Sequence, residues 1–190
     1  ALVGENGAGK STIMSVLYGA NKDFSGHIFC DGERVTWNSP KDAIRAGIGM
    51  VHQHFMLVDD LTVLENITLG NESINQFGFL KFNAIRKDII DILSHYKMHI
   101  DLNELVRNLS VAQRQIVEII KLLYRKSRVL ILDEPTAVLT PSERDTFFES
   151  LRNFKGENRT IILITHKIDE VMEISDHVTV LRNGKLISSS

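Results

Sequence analysis

Apolar and polar positions change their period several times along the chain, and each change marks an element. Ala1-Leu2-Val3 is an apolar strand stub that runs directly into the glycine-rich stretch Gly4–Ser11. A helix is predicted from that stretch through about Tyr18, where Gly19 is a natural stop. Short strands follow around His27–Cys30 and Arg34–Trp37, with Asp31-Gly32 as the turn between them. A helix near Pro40–Ala46 leads into a strand at Ile48–His52. From about residue 70 to 125 the period is helical, with Ile85, Ile89, Leu93 and Tyr96 on one face. A second helix carries Ile116, Ile120 and Leu123 on one stripe, and Ser110 with Gln113 forms a capping-box pattern at its start. Val129–Leu132 and Ile161–Ile164 are continuous apolar runs of strand length. Between them Thr140-Pro141-Ser142-Glu143 opens a helix with a cap, a proline at the first helical position and a glutamate at the third. Asp176–Leu181, Asn183-Gly184 and Lys185–Ile187 read as a hairpin with a tight turn. Buried strands alternating with helices specify an α/β fold, a mainly parallel sheet covered on both faces.

Composition narrows the picture. A chain of 190 residues with 43% hydrophobic and 24% charged residues is an ordinary globular balance, enough for one core. The net charge of -2 gives no basic footprint, so nucleic acid is not expected as a partner. Cys30 is the one cysteine and has no internal partner, which fits a reducing setting. No apolar run approaches the roughly 18 residues that would span a bilayer, so any work at a membrane requires other subunits to cross it. With no initiator Met and a glycine loop at residue 4, the expectation is a cut N-terminus with at least one strand in front.

Two stretches carry chemistry. Gly4-Glu5-Asn6-Gly7-Ala8-Gly9-Lys10-Ser11-Thr12 contains G-x-x-x-x-G-K-[ST], the Walker A pattern of P-loop nucleotide-binding proteins. Its glycines let the backbone wrap a polyphosphate with N–H groups aimed inward. Lys10 is a point charge for the β and γ phosphates, and the Ser11 hydroxyl suits Mg²⁺. The helix from Lys10 onward adds the positive end of its dipole. The second stretch, Val129–Leu132 followed by Asp133-Glu134-Pro135, is an apolar strand ending in two carboxylates at the side where open parallel sheets bind ligands. There Asp133 can hold Mg²⁺, and Glu134 can polarise an attacking water as a general base.

Together with three further motifs, these residues resemble the ABC ATPase family. Gln53, after the strand Gly47–Val51, matches the Q-loop glutamine that in the family senses Mg²⁺ and water. Leu109-Ser110-Val111-Ala112-Gln113 matches the signature, usually LSGGQ. Ala137–Thr140 sits at the D-loop, and His166 matches the switch histidine that contacts the γ-phosphate. The resemblance implies a single ABC ATPase domain over 1–190, cut at both ends. Within it, 1–60 and 126–190 form a P-loop NTPase (RecA-like) core, with a partial antiparallel β region. Residues 70–125 form a helical subdomain that carries the signature. It also implies Mg²⁺-dependent ATP hydrolysis. Two modules clamp two ATP molecules head to tail, so Ser110, Val111, Ala112 and Gln113 meet the ATP of the opposite module. Val111 and Ala112 replace both signature glycines, but Ala112 keeps its backbone N–H and Ser110 its hydroxyl.

The stretches MVHQHFMLVDDLTVLENITLG, LSVAQRQIVEI and DEPTAVLTPSE look like importers of simple sugars and nucleosides. That group implies a second ATPase module, fused or separate, with this chain the first half. It further implies transmembrane permease subunits, an upstream solute-binding protein acting indirectly, and a peripheral place on the cytoplasmic face of the membrane. The rivals are a soluble ABC ATPase of DNA repair or translation, and a regulatory half that binds ATP with little turnover. Lys10 and Ser110 lie only 100 positions apart without sustained heptads, which leaves no room for the long coiled coil of repair types. Glu134 and His166 argue against a silent half. Phe55, Met56 and Leu57 read either as core or as a groove for a helix of the membrane subunit. His52 and His54 lack further ligands nearby, and His95 and His99 read as a solvated face. The family's adenine-stacking aromatic is expected upstream of Gly4, so base recognition is not assigned.

Overall fold

The computed structural model describes residues 1–71, 82–155 and 159–190, which divide into two compact units. The first comprises Ala1–Gln53, Arg128–Pro135 and Arg159–Ser190. Its six-stranded sheet runs β4 (Ile48–Val51), β5 (Val129–Asp133), β6 (Thr160–Thr165), β1 (Leu2–Val3), β7 (Thr179–Arg182), β8 (Lys185–Ser189). All neighbours pair in parallel except β7 and β8. The strands are as apolar as parallel strands buried on both faces must be: Leu130, Ile131, Leu132 and Ile164 are fully buried. β1 is two residues long yet central, its register fixed by Leu2 opposite both Ile164 and Thr179.

Helices α1 (Lys10–Leu17) and α2 (Pro40–Arg45) cover this sheet, placing Met14 and Ala43 in one cluster with Leu2, Ile48, Ile131 and Ile164. β2 (Ile28–Cys30) and β3 (Glu33–Val35) form a separate antiparallel pair. Both hairpins turn on the dipeptides expected, because Asp31-Gly32 and Asn183-Gly184 hold positive φ at both central residues.

The second unit comprises His54–Ser127 and Thr136–Asn158. It holds the helices α3 (Val63–Thr68), α4 (Phe82–His95), α5 (Val111–Tyr124) and α6 (Pro141–Lys155). The helical character expected from about residue 70 falls partly on 72–81, outside the described residues. The face Ile85, Ile89, Leu93 and Tyr96 is buried as its spacing predicts. α5 differs from the expected single stripe. Flanked by α3 and α4, it is buried on nearly every side from Gln115 to Leu123, Ile116 alone staying half-exposed. Among the described residues, three capping boxes set helix starts: Thr62 with Glu65, Ser110 with Gln113, and Thr140 with Glu143. No helix among the described residues is long and apolar enough to cross a membrane.

Candidate functional site

The C-terminal ends of β1, β4, β5 and β6 lie along one edge of the parallel sheet, where such sheets bind their ligands. Four segments leave from that edge: the glycine loop after β1, Gln53 after β4, Asp133-Glu134 at the end of β5, and His166 after β6. A polar cavity of about 410 Å³ opens there, lined by Asn6, Gly7, Ala8, Gly9, Lys10, Ser11, Thr12, Gln53, Asp133 and Glu134.

Each wall has a local cause. Gly4 leaves the sheet where a Cβ would stand 2.4 Å from the Leu181 carbonyl oxygen, so only glycine fits. Gly9, at φ 98, turns the loop in the left-handed region directly before α1 begins. The N–H groups of the first turn of α1 therefore face the cavity without intrahelical partners. Lys10 is 6% exposed, and its ammonium donates to the carbonyls of Gly4 at 2.7 Å and Glu5 at 3.1 Å. The cation is therefore held by its own loop, with two of three donors occupied.

Gly4→Ala is expected to cost about 1–3 kcal/mol of stability by overpacking against rigid backbone. Denaturant titration of the full-length chain reads this directly, and an unshifted midpoint would contradict the packing described.

The Ser11 hydroxyl donates to Asp133 Oδ2 at 3.1 Å. Burial pushes the Asp133 carboxyl above its ordinary pKa. The Ser11 hydroxyl works against that rise, the Glu134 charge adds to it, and Lys10 and His52 oppose it. Glu134 stands in the left-handed region at φ 47 while its N–H continues the ladder to the Ile164 carbonyl at 2.9 Å. A non-glycine residue held there costs energy, and such strain concentrates at functional sites. Its Oε1 lies 3.0 Å from His166 Nδ1. A carboxylate oxygen accepts, so His166 Nδ1 is the donor of this bond.

Sequence reasoning missed the support behind His166. Thr165 Oγ1 donates to Glu170 Oε2 at 3.0 Å and accepts from the Lys167 N–H at 3.1 Å, and Lys167 Nζ lies 3.1 Å from Glu170 Oε1. Glu170 is fully buried in α7 (Ile168–Ile174). The sequence signal was available: Lys and Glu three apart, directly after an apolar strand.

Gly4 and Glu5 shape the loop from behind Lys10. Ser110, Val111, Ala112 and Gln113 belong to the helical unit and are not among the residues lining this cavity. There Gln113 N–H donates to Ser110 Oγ at 3.3 Å, and Ser110 N–H donates to Gln113 Oε1 at 2.9 Å. Neither Val111 nor Ala112 has positive φ, so their side chains put no strain on the backbone.

The sequence pattern of the ABC transporter family matches residues 1–137. The chain is 47% identical over 189 residues to the nucleoside import ATP-binding protein NupA of Lactococcus lactis subsp. cremoris, covering 100% of this chain and 37% of that protein. It is 44% identical over 190 residues to the ribose import ATP-binding protein RbsA 1 of Burkholderia thailandensis, covering 100% of this chain and 38% of that protein. It thus spans well under half the length of these curated relatives. A crystal structure of a nucleotide-free ATP-binding cassette from an ABC transporter superposes with a TM-score of 0.84 at 26% identity, over 100% of this chain and 78% of that one. With the family's sequence pattern over residues 1–137 and relatives above 40% identity along the whole of it, the chain belongs to the ABC transporter family.

Proposed function

We propose that this chain is the ATP-hydrolysing module of an importer for a small solute, a simple sugar or a nucleoside. The observation that carries this reading is the convergence of the glycine loop, Gln53, Asp133 and Glu134 on one cavity, with Glu134 bonded to His166. The loop N–H groups and Lys10 bind the β and γ phosphates. Thr12 extends the same helix start. Glu134 orients a water and accepts its proton, and His166 fixes Glu134 through Nδ1. Positioning and charge stabilisation carry such a transfer.

Mg²⁺ fits this donor set. The Ser11 hydroxyl and Asp133 carboxylate are adjacent hard oxygens, and Gln53 lines the same cavity. Mg²⁺ is held by one or two carboxylates plus substrate phosphates, rather than by a full protein cage. When bound, it supplies neutralisation of the phosphate charge.

Asp133→Asn provides a test with an uncommon sign. A carboxyl whose native pKa is raised keeps its proton in the folded chain after the unfolded chain has released it. Its contribution to stability therefore falls as pH rises through that window. The neutral Asn escapes this cost, so at pH 7 without nucleotide the variant should melt no lower than wild type, while Mg²⁺-dependent turnover is lost. A lower melting point with normal turnover would contradict the role given to Asp133.

The assembly reading has three parts. A second module, fused or separate, brings its own signature to this cavity, as Ser110, Val111, Ala112 and Gln113 go to the second module's ATP. Permease subunits dock at the segment around Phe55, Met56 and Leu57, with a solute-binding protein acting from the far side of the membrane. The sheet unit and the helical unit then sit at the cytoplasmic face. Support comes from the relatives' names and from Met56, whose side chain is 65% exposed. A strain lacking the full-length protein is expected to lose energised uptake of labelled ribose, glucose or nucleoside. Wild type should restore it and Glu134→Gln should not. Undiminished uptake of all three overturns the import reading.

A further inference from the structure

In the segment that follows Gln53, Met56 and Val58 make backbone hydrogen bonds to buried side chains. Met56 N–H donates to Glu118 Oε1 at 2.7 Å, and Lys121 Nζ donates to the Met56 carbonyl at 3.3 Å. Two residues on, Val58 N–H donates to Asn66 Oδ1 at 2.8 Å, and Asn66 Nδ2 donates to the Val58 carbonyl at 3.0 Å. Alternate residues are thus gripped at both of their backbone polar atoms. The gripping side chains are buried: Asn66 is 0%, Glu118 4% and Lys121 9% exposed. The gripped side chains are not, with Met56 65% and Val58 43% exposed. Phe55 and Leu57 are half-buried. The next two residues are neutralised, Asp59 by Arg114 at 2.8 Å and Asp60 by Arg107 at 3.0 Å.

Stability does not call for this arrangement. A buried charged pair is commonly matched or bettered by apolar residues of the same volume. Water can satisfy the peptide groups of an exposed segment at small cost. Burial pushes the Lys121 ammonium below its ordinary pKa, with Glu118 opposing, so the lysine bears a desolvation cost. What the clamp does, and water cannot, is fix the backbone beneath two exposed apolar side chains. An anchor ordered in advance loses less entropy on docking.

We infer that Glu118, Lys121 and Asn66 are positioning residues that hold Met56 and Val58 as a pre-ordered apolar surface on which a helix of the permease docks. This rests on the docking reading above. The test uses the full-length protein reconstituted with its permease, comparing wild type, Glu118→Leu/Lys121→Met, Glu118→Gln and Met56→Ser. Melting temperature, basal ATPase without permease, and uptake of labelled ribose, glucose or nucleoside per ATP hydrolysed are measured.

The apolar pair should melt near wild type and keep basal ATPase, while uptake per ATP falls about tenfold with loss of the pre-ordered anchor. Glu118→Gln keeps an acceptor for Met56 N–H and should restore coupling. Normal coupling in the apolar pair beside an uncoupled Met56→Ser overturns the positioning role alone. Normal coupling in Met56→Ser as well overturns the docking reading beneath it. Should the apolar pair fail to fold, hydrogen exchange on the wild-type protein decides. The Met56 and Val58 amides should be protected without permease, and exchange at unprotected rates overturns the clamp.

Discussion

Replacing Glu134 with Gln should leave ATP binding nearly intact and remove about 10²- to 10⁴-fold of turnover, the range general-base removal produces. The change is nearly isosteric. A glutamine oxygen still accepts from His166 Nδ1 and meets the same φ of 47, so the cavity keeps its shape. The lost property is basicity toward a water. ATP affinity by calorimetry and phosphate release under saturating ATP separate the two effects. ATP should accumulate on the variant, in a closed module pair if a second module is present. A rate near wild type would place the base elsewhere.

Lys10→Ala should act on the other axis and lower ATP affinity by at least about 10²-fold. Charge-assisted hydrogen bonds are worth about 1.5–3 kcal/mol each, and the ammonium brings its charge and its remaining donor to the phosphate oxygens. Lys10 also ties down the Gly4 and Glu5 carbonyls, so its removal loosens the cradle as well as discharging it. Calorimetry on the full-length protein reads the affinity, and melting without nucleotide reads the cradle. Unchanged affinity would mean that the loop does not hold the triphosphate.

Much of the fold is legible in the sequence because strand ends, turns and caps are local. Asp31-Gly32 and Asn183-Gly184 announce turns that need positive φ, and both hairpins form there. Thr140 with Glu143 announces a helix start, and α6 begins at Pro141. The Thr62-x-x-Glu65 box was equally local and marks α3, yet the six-residue helix is too short for its period to show. The candidate site was legible for a different reason. Phosphate binding needs glycine, lysine and a hydroxyl at fixed offsets, and these offsets survive without any knowledge of packing.

What stayed hidden depends on contacts far apart in sequence. That Gly4 must lack a Cβ follows from the Leu181 carbonyl on β7. The clamp on Met56 joins residues 62 and 65 positions apart. In the sequence Glu118 and Lys121 look like an exposed helical pair, and only the burial of α5 on nearly every side shows otherwise.

The reaction proposed for this cavity is ATP hydrolysis. Its most direct test is Mg²⁺-dependent phosphate release from ATP by the purified full-length protein, measured side by side for wild type, Lys10→Ala and Glu134→Gln. Wild type should give saturable release that disappears with chelator, and both variants should lose most of it, through affinity in the first and turnover in the second. Equal release by all three proteins would contradict it.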